Sequence, residues 1–152
     1  MADLLEKSFQ IISLFGTPFF YVPATAYLFT LIPKLAINLI FVLVSTEFLC
    51  AAVKFIYPKE RPVPMPRNTL FQKYLAGSFP SVHTARITAF SAAIAAFYTN
   101  TAFILIASFI VICVGYSRIY LKKHYIIDVI AGFAVGLIIG AFGFVMQNKF
   151  IY

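Results

Sequence analysis

The chain has 152 residues, of which 62% are hydrophobic and only 11% charged, with a mean hydropathy of +0.93. An average soluble domain is about 25% charged, so this chain lacks the polar surface to cover a globule in water and a bilayer is its expected solvent. The net charge of +7 does not point to nucleic acid, because the basic residues gather in 54–86 and 118–123 and form no solvated face. Anionic lipid head groups or a phosphorylated substrate match that placement.

A helix needs about 20 apolar residues to cross the hydrocarbon core. The start of the chain carries Asp3, Glu6 and Lys7, not the basic flank of a cleavable signal, so targeting is expected to rest on the membrane helices. Residues 2–10 read as an amphipathic interfacial helix, and 11–32 as a stretch long enough to span but interrupted by Gly16, Pro18 and Pro23. Two arrangements stay open there: a single kinked span, which we prefer, and a hairpin that crosses only partly. Residues 35–57 form a clear span ended by Pro58. The long polar connection 58–80 follows, and Pro58, Pro62, Pro64 and Pro66 force it to be extended. Within it, Leu70, Phe71, Tyr74 and Leu75 beside Gln72 and Lys73 make 68–76 a short amphipathic segment, either bordering a lipid entrance or packed as a loop.

Residues 81–98, 101–121 and 125–146 supply three more spans, the last ending before Gln147. Gly132, Gly136 and Gly140, with Gly143 beyond, repeat the small-xxx-small spacing that lets helices approach closely. Ala85, Ala89, Ala92, Ala93 and Ala96 give 81–98 a matching small face, so the stripes are read as packing inside one bundle and a monomer is favoured. Cys50 and Cys113 lie in apolar runs and read as buried small hydrophobes, not a disulfide. The expected architecture is all-α: one domain, 1–152, a polytopic membrane helical bundle of about five spanning helices with an N-terminal interfacial or kinked segment.

Three clusters at the ends of these spans carry chemistry. His124 and Asp128, four residues apart at a helix start, share one face. Asp128 can accept a hydrogen bond from one imidazole nitrogen, fix the tautomer and leave the other lone pair free to attack. Ser81 stands at the N-cap of 81–98, where free N–H groups and the helix dipole favour an anion. His83 in that first turn can protonate a leaving oxygen. Lys54, Arg61 and Arg118 supply positive charge suited to the equatorial oxygens of a phosphoryl group in transfer.

Lys54, six residues, Arg61-Pro62; then Pro80-Ser81-Val82-His83; then Ser117-Arg118, five residues, His124, three residues and Asp128: this three-part signature resembles the type 2 phosphatidic acid phosphatase superfamily of membrane lipid phosphatases. The resemblance covers 54–128 in the family's order. It implies a phosphatase that needs no metal or other cofactor and works through a phosphohistidine intermediate. His124 would be the nucleophile, Asp128 its orienting partner, and His83 the acid for the leaving group and then the base for water. Lys54, Arg61, Ser81, Arg118 and the N–H of Val82 would hold the phosphate. The chain departs from the family at Val82, where the usual residue is glycine, and in having about five spans where six are usual.

Two further charges, Glu47 and Arg86, lie deeper than the signature requires and are expected to pair beneath the site, with Ser117 also behind it. Lys122 and Lys123 flank the nucleophile and suit a second anionic group on the head group. If 35–57 and 81–98 are consecutive spans, all three clusters fall on one side of the membrane. The positive-inside rule would make that side cytoplasmic; the family's habit is the periplasmic or extracytoplasmic face of the inner membrane, which we favour. Lipid A 1-phosphate, a polyprenyl diphosphate and phosphatidylglycerol phosphate are the candidate substrates. A lipid-to-lipid phosphotransferase and a non-catalytic lipid-binding protein are the alternatives.

Overall fold

The computed structural model describes residues 2–150, all of its regular structure helical. In chain order the helices are α1 (Ala2–Ser13), α2 (Pro18–Leu31), α3 (Pro33–Ile56), α4 (Leu70–Ala76), α5 (Val82–Tyr98), α6 (Thr101–Tyr120) and α7 (Ile126–Phe150), with a 3-10 turn at Leu14–Gly16. Pro18 and Pro33 sit at the first positions of α2 and α3, where the missing N–H costs nothing. Helices α3, α6 and α7 are each long and apolar enough to cross a membrane, and the α1–α2 pair, bent by 46°, passes the same test as one broken unit. Phe19, Phe48 and Ile138 are among many large apolar side chains left exposed, far more than a water-facing surface tolerates. The protein is an integral membrane helical bundle.

Helix α5 is the axis of the bundle. It packs most extensively on α7 and also touches α3, α6 and the 3-10 turn, and eight of its residues are buried. The glycine stripe of α7 makes this contact: a Cβ added at Gly136 would lie 2.5 Å from Thr88 Cβ and 2.6 Å from the Ala85 carbonyl oxygen. Because one obstacle is backbone, Gly136→Ala is expected to force the two helices apart at a cost of about 1–3 kcal/mol, seen as a lower thermal midpoint in detergent. A midpoint equal to the parent's would show that α5 and α7 do not pack this closely.

One boundary differs from expectation. Helix α7 does not stop before Gln147 but continues to Phe150. Gln147 is buried and accepts a 2.8 Å hydrogen bond from Asn38 Nδ2 of α3, so a polar residue that looked like an end signal is satisfied inside the bundle. Helix α1 rests against the bundle, with Phe9 packed on Tyr116 and Tyr120 of α6. Near the other end of α3, Thr69 and Gln72 form a capping box that starts α4 within the proline-rich connection.

Candidate active site

The ends of α3, α5 and α6, the start of α7 and the 57–80 connection converge at one end of the bundle. Backbone bonds tie them together: Ser81 N–H donates to the Asp128 carbonyl at 2.9 Å, and Ser78 N–H to the Lys59 carbonyl at 2.9 Å. The second and third sequence clusters therefore meet through main chain before any side chain is considered. Asp128, Ser81, Ser78 and Ser117 are fully buried, and His124 is 2% exposed.

His124 lies in the turn between α6 and α7, with its Nδ1 3.8 Å from Asp128 Oδ2. That distance suits an electrostatic contact but is too long for the direct hydrogen bond that the four-residue spacing suggested. The spacing rule assumes that both residues are helical, whereas α7 begins only at Ile126, leaving the His124 backbone outside the helix. The Asp128 carboxylate is spoken for by others. It accepts from Lys59 Nζ at 2.6 Å, from the Ser78 hydroxyl at 2.5 Å and from the Tyr125 N–H at 2.9 Å. Lys59 Nζ also sits 4.6 Å from the centre of the Tyr125 ring.

Burial, above all, lowers the pKa of His124 from 6.5 to about 4. The neighbouring charges of Arg61, Arg118 and Lys54 lower it too, and Asp128 acts the other way. The imidazole is thus neutral, with a lone pair to offer, throughout the neutral range. Since the folded value lies below the unfolded one, the unfolded chain binds a proton first as pH falls. The stability that His124 contributes is therefore complete above about pH 6.5 and is lost on descending toward pH 4. A pH series of thermal midpoints is expected to fall across this window, and to fall less in His124→Gln. Equal slopes in the two proteins would assign the acid sensitivity elsewhere.

The two signature arginines are held with a donor to spare. Arg118 Nη1 donates to Ser13 Oγ at 2.6 Å, while its Nε is buried with no partner. Arg61 Nε is likewise buried and unpartnered, and burial chiefly lowers the Arg61 pKa. Unsatisfied guanidinium donors in a buried pocket are costly unless an acceptor arrives, and a phosphate oxygen is the acceptor their geometry suits. Lys54 is only 3% exposed and does not snorkel outward; its Nζ donates to the Gly77 carbonyl at 2.8 Å and lies 3.5 Å from the Tyr74 carbonyl.

Ser81 occupies the N-cap of α5, but its side chain caps no backbone N–H and instead accepts from Thr84 Oγ1 at 3.0 Å. Val82 takes an ordinary helical conformation, since Thr99 and Lys122 are the non-glycine residues with positive φ among those described. Its side chain is buried in a small cluster with Cys50 and Ala85. A β-branched residue is accommodated because no left-handed conformation is required at that position. Ser117 donates to the Val114 carbonyl of its own helix at 2.6 Å. Lys122 and Lys123 are exposed on the turn just before His124.

His83 projects from the first turn of α5 and packs against Gly16, where an added Cβ would fall 2.6 Å from His83 Cβ. Beneath it, Arg86 donates to Glu47 Oε2 through Nη2 and through Nε at 2.8 Å, and through Nη1 to the Gly16 carbonyl at 3.3 Å. The Tyr74 hydroxyl donates to the other oxygen of the same Glu47 carboxylate. Burial, with help from Glu47, pushes the Tyr74 hydroxyl pKa up, so it stays a donor. The Glu47–Arg86 pair thus joins α3, α4, α5 and the 3-10 turn at one point.

Sequence reading missed Ser13, Gly16, Lys59, Tyr74 and Ser78 as members of this constellation. Ser78, two residues before Pro80, and Lys59, between Lys54 and Arg61, lay close enough to a motif to have been suspected. The others reach the site by tertiary packing.

What this end of the bundle brings together is a buried histidine, His124, with Lys54, Arg61 and Arg118 near enough for their charges to act on it, on a membrane scaffold. The chain belongs to the PAP2 superfamily: the model of that family matches residues 35–152. It is accordingly a membrane lipid phosphatase by class. Among solved structures, it resembles a transmembrane PAP2-type phosphatidylglycerolphosphate phosphatase from Bacillus subtilis with a TM-score of 0.81 and 23% identity, over 97% of this chain and 78% of that one. It also resembles LpxE from Aquifex aeolicus with a TM-score of 0.79 and 25% identity, over 92% of this chain and 85% of that one. A comparison with curated proteins finds no match.

Proposed function

We propose that this protein removes a phosphate group from a lipid head group through a covalent phosphohistidine, without a metal ion. The observation that carries the reading is the meeting of a neutral, buried His124 with the unpartnered Nε donors of Arg61 and Arg118. The His124 Nε2 lone pair attacks phosphorus as the bond to the lipid oxygen breaks, and His83 gives that oxygen a proton. His83 then takes a proton from water, the oxygen attacks phosphorus, and cleavage of the N–P bond frees inorganic phosphate. Arg61, Arg118, Lys54 and Ser81, with the Val82 N–H at the start of α5, bear the charge on the non-bridging oxygens.

Lys122 and Lys123, exposed beside the nucleophile, favour a substrate with a second anionic group. Phosphatidylglycerol phosphate is the first candidate, supported by the likeness to a phosphatase of that lipid; a polyprenyl diphosphate and a lipid A phosphate come next. The site faces the periplasm or cell exterior of the inner membrane in this reading, and accessibility of cysteines placed along 59–79 to an impermeant reagent tests it. Phosphate release from the detergent-solubilised protein, measured with those lipids and phosphatidic acid, is expected to persist in EDTA and to be fastest with a doubly anionic head group. Loss of turnover in EDTA would overturn the mechanism, and a preference for phosphatidic acid would overturn the role given to Lys122 and Lys123.

A further inference from the structure

Ser78 lies outside the three-part signature, on the connection before α5, and is fully buried. Its hydroxyl donates to Asp128 Oδ2 at 2.5 Å and lies 3.4 Å from His124 Nδ1. The direct gap between the imidazole and the carboxylate is longer, 3.8 Å. A hydroxyl can donate one hydrogen bond and accept another at the same time, so Ser78 has the valence to stand between the two. Its donor is committed to the carboxylate, which leaves a lone pair for an N–H on Nδ1.

We infer that Ser78 is a positioning residue for the nucleophile, relaying the Asp128 carboxylate to His124 Nδ1 and holding the tautomer whose Nε2 lone pair is free. Lys59 completes the device from the other side. Its ammonium occupies Asp128 Oδ1 at 2.6 Å, which keeps the second oxygen turned toward Ser78 and the Tyr125 N–H. Both residues come from the 57–80 connection and are joined by the bond from Ser78 N–H to the Lys59 carbonyl. The connection therefore orients the nucleophile as well as flanking the phosphate pocket. When the phosphohistidine forms, the ring becomes cationic with its proton on Nδ1, and the Ser78–Asp128 pair stabilises that charge without proton transfer.

The inference rests on the phosphohistidine reading above, and the test separates the two. The chain holds two histidines, so imidazole nitrogen-15 resonances of the detergent-solubilised protein are assignable by comparison with His83→Gln. In the parent protein, His124 is expected to carry its proton on Nδ1. In Ser78→Ala, its signals should move toward the mixed tautomers of a free imidazole. The same variant should lose about 10- to 100-fold in kcat, the scale known for removing the outer hydrogen-bond partner of a metal-bound histidine, with KM for phosphatidic acid within about twofold. An unchanged tautomer or an unchanged kcat in Ser78→Ala overturns the inference, as does a loss confined to KM. If Ser78→Ala does not fold, Ser78→Cys is read by the same criteria. Activity that survives His124→Ala would instead overturn the phosphohistidine reading itself.

Discussion

Replacing His124 by alanine is expected to lower phosphate release by about 10⁴- to 10⁶-fold, the range seen when a covalent nucleophile is deleted from an otherwise intact site. The imidazole is 2% exposed and sits in a turn whose backbone bonds, His124 N–H to the Arg118 carbonyl among them, do not depend on the side chain. The fold should therefore survive, and the thermal midpoint should change little. Acid-stable bonds to other residues would persist in such a variant, whereas a phosphohistidine is lost in acid and persists in base. Brief incubation of the parent with phosphorus-32-labelled phosphatidic acid should thus leave base-stable label that His124→Ala lacks. Label retained in the variant would move the nucleophile elsewhere, with His83 the first alternative.

Asp128→Asn is the second large effect. The carboxylate accepts from Lys59, Ser78 and Tyr125 at once, and an amide can offer only one oxygen to those three donors. Its NH₂ group would point hydrogens at a donor already in place. We expect kcat to fall by about 10³- to 10⁴-fold, comparable with loss of the orienting carboxylate in a histidine-based triad. Stability should fall as well, by about 1–3 kcal/mol, because at least one buried donor is left unsatisfied. A variant that lost stability but kept its rate would show that Asp128 holds the loop and does not serve the nucleophile.

The support beneath the site illustrates how far pattern reading reaches. Glu47 and Arg86 were suspect on cost alone, since unpaired charges deep in a membrane helix are expensive, and they lie hydrogen-bonded to each other. The third partner was out of reach, because Tyr74 belongs to a seven-residue helix in a proline-rich connection and nothing local aims it at α3. Glycine spacing similarly announced close packing of α7, while its partners, Thr88 and the Ala85 carbonyl of α5, are known only from the assembled bundle. Gln147 misled for the same reason: polarity at a helix end usually signals water, and only Asn38 on a distant helix removes that signal.

The sequence by itself determined the solvent, the helical class, the positions of most helices and the three clusters proposed to carry the chemistry. Those properties follow from hydropathy, proline placement and spacing within single segments, which are local and additive. The tertiary structure alone decided how His124 is joined to Asp128. Helix periodicity puts them one turn apart, but α7 starts after His124, and the resulting 3.8 Å gap is filled by a hydroxyl from a connection 46 residues upstream. A hydrogen bond is a matter of tenths of an ångström, and a distance of that kind is set by the packing of five chain segments against one another.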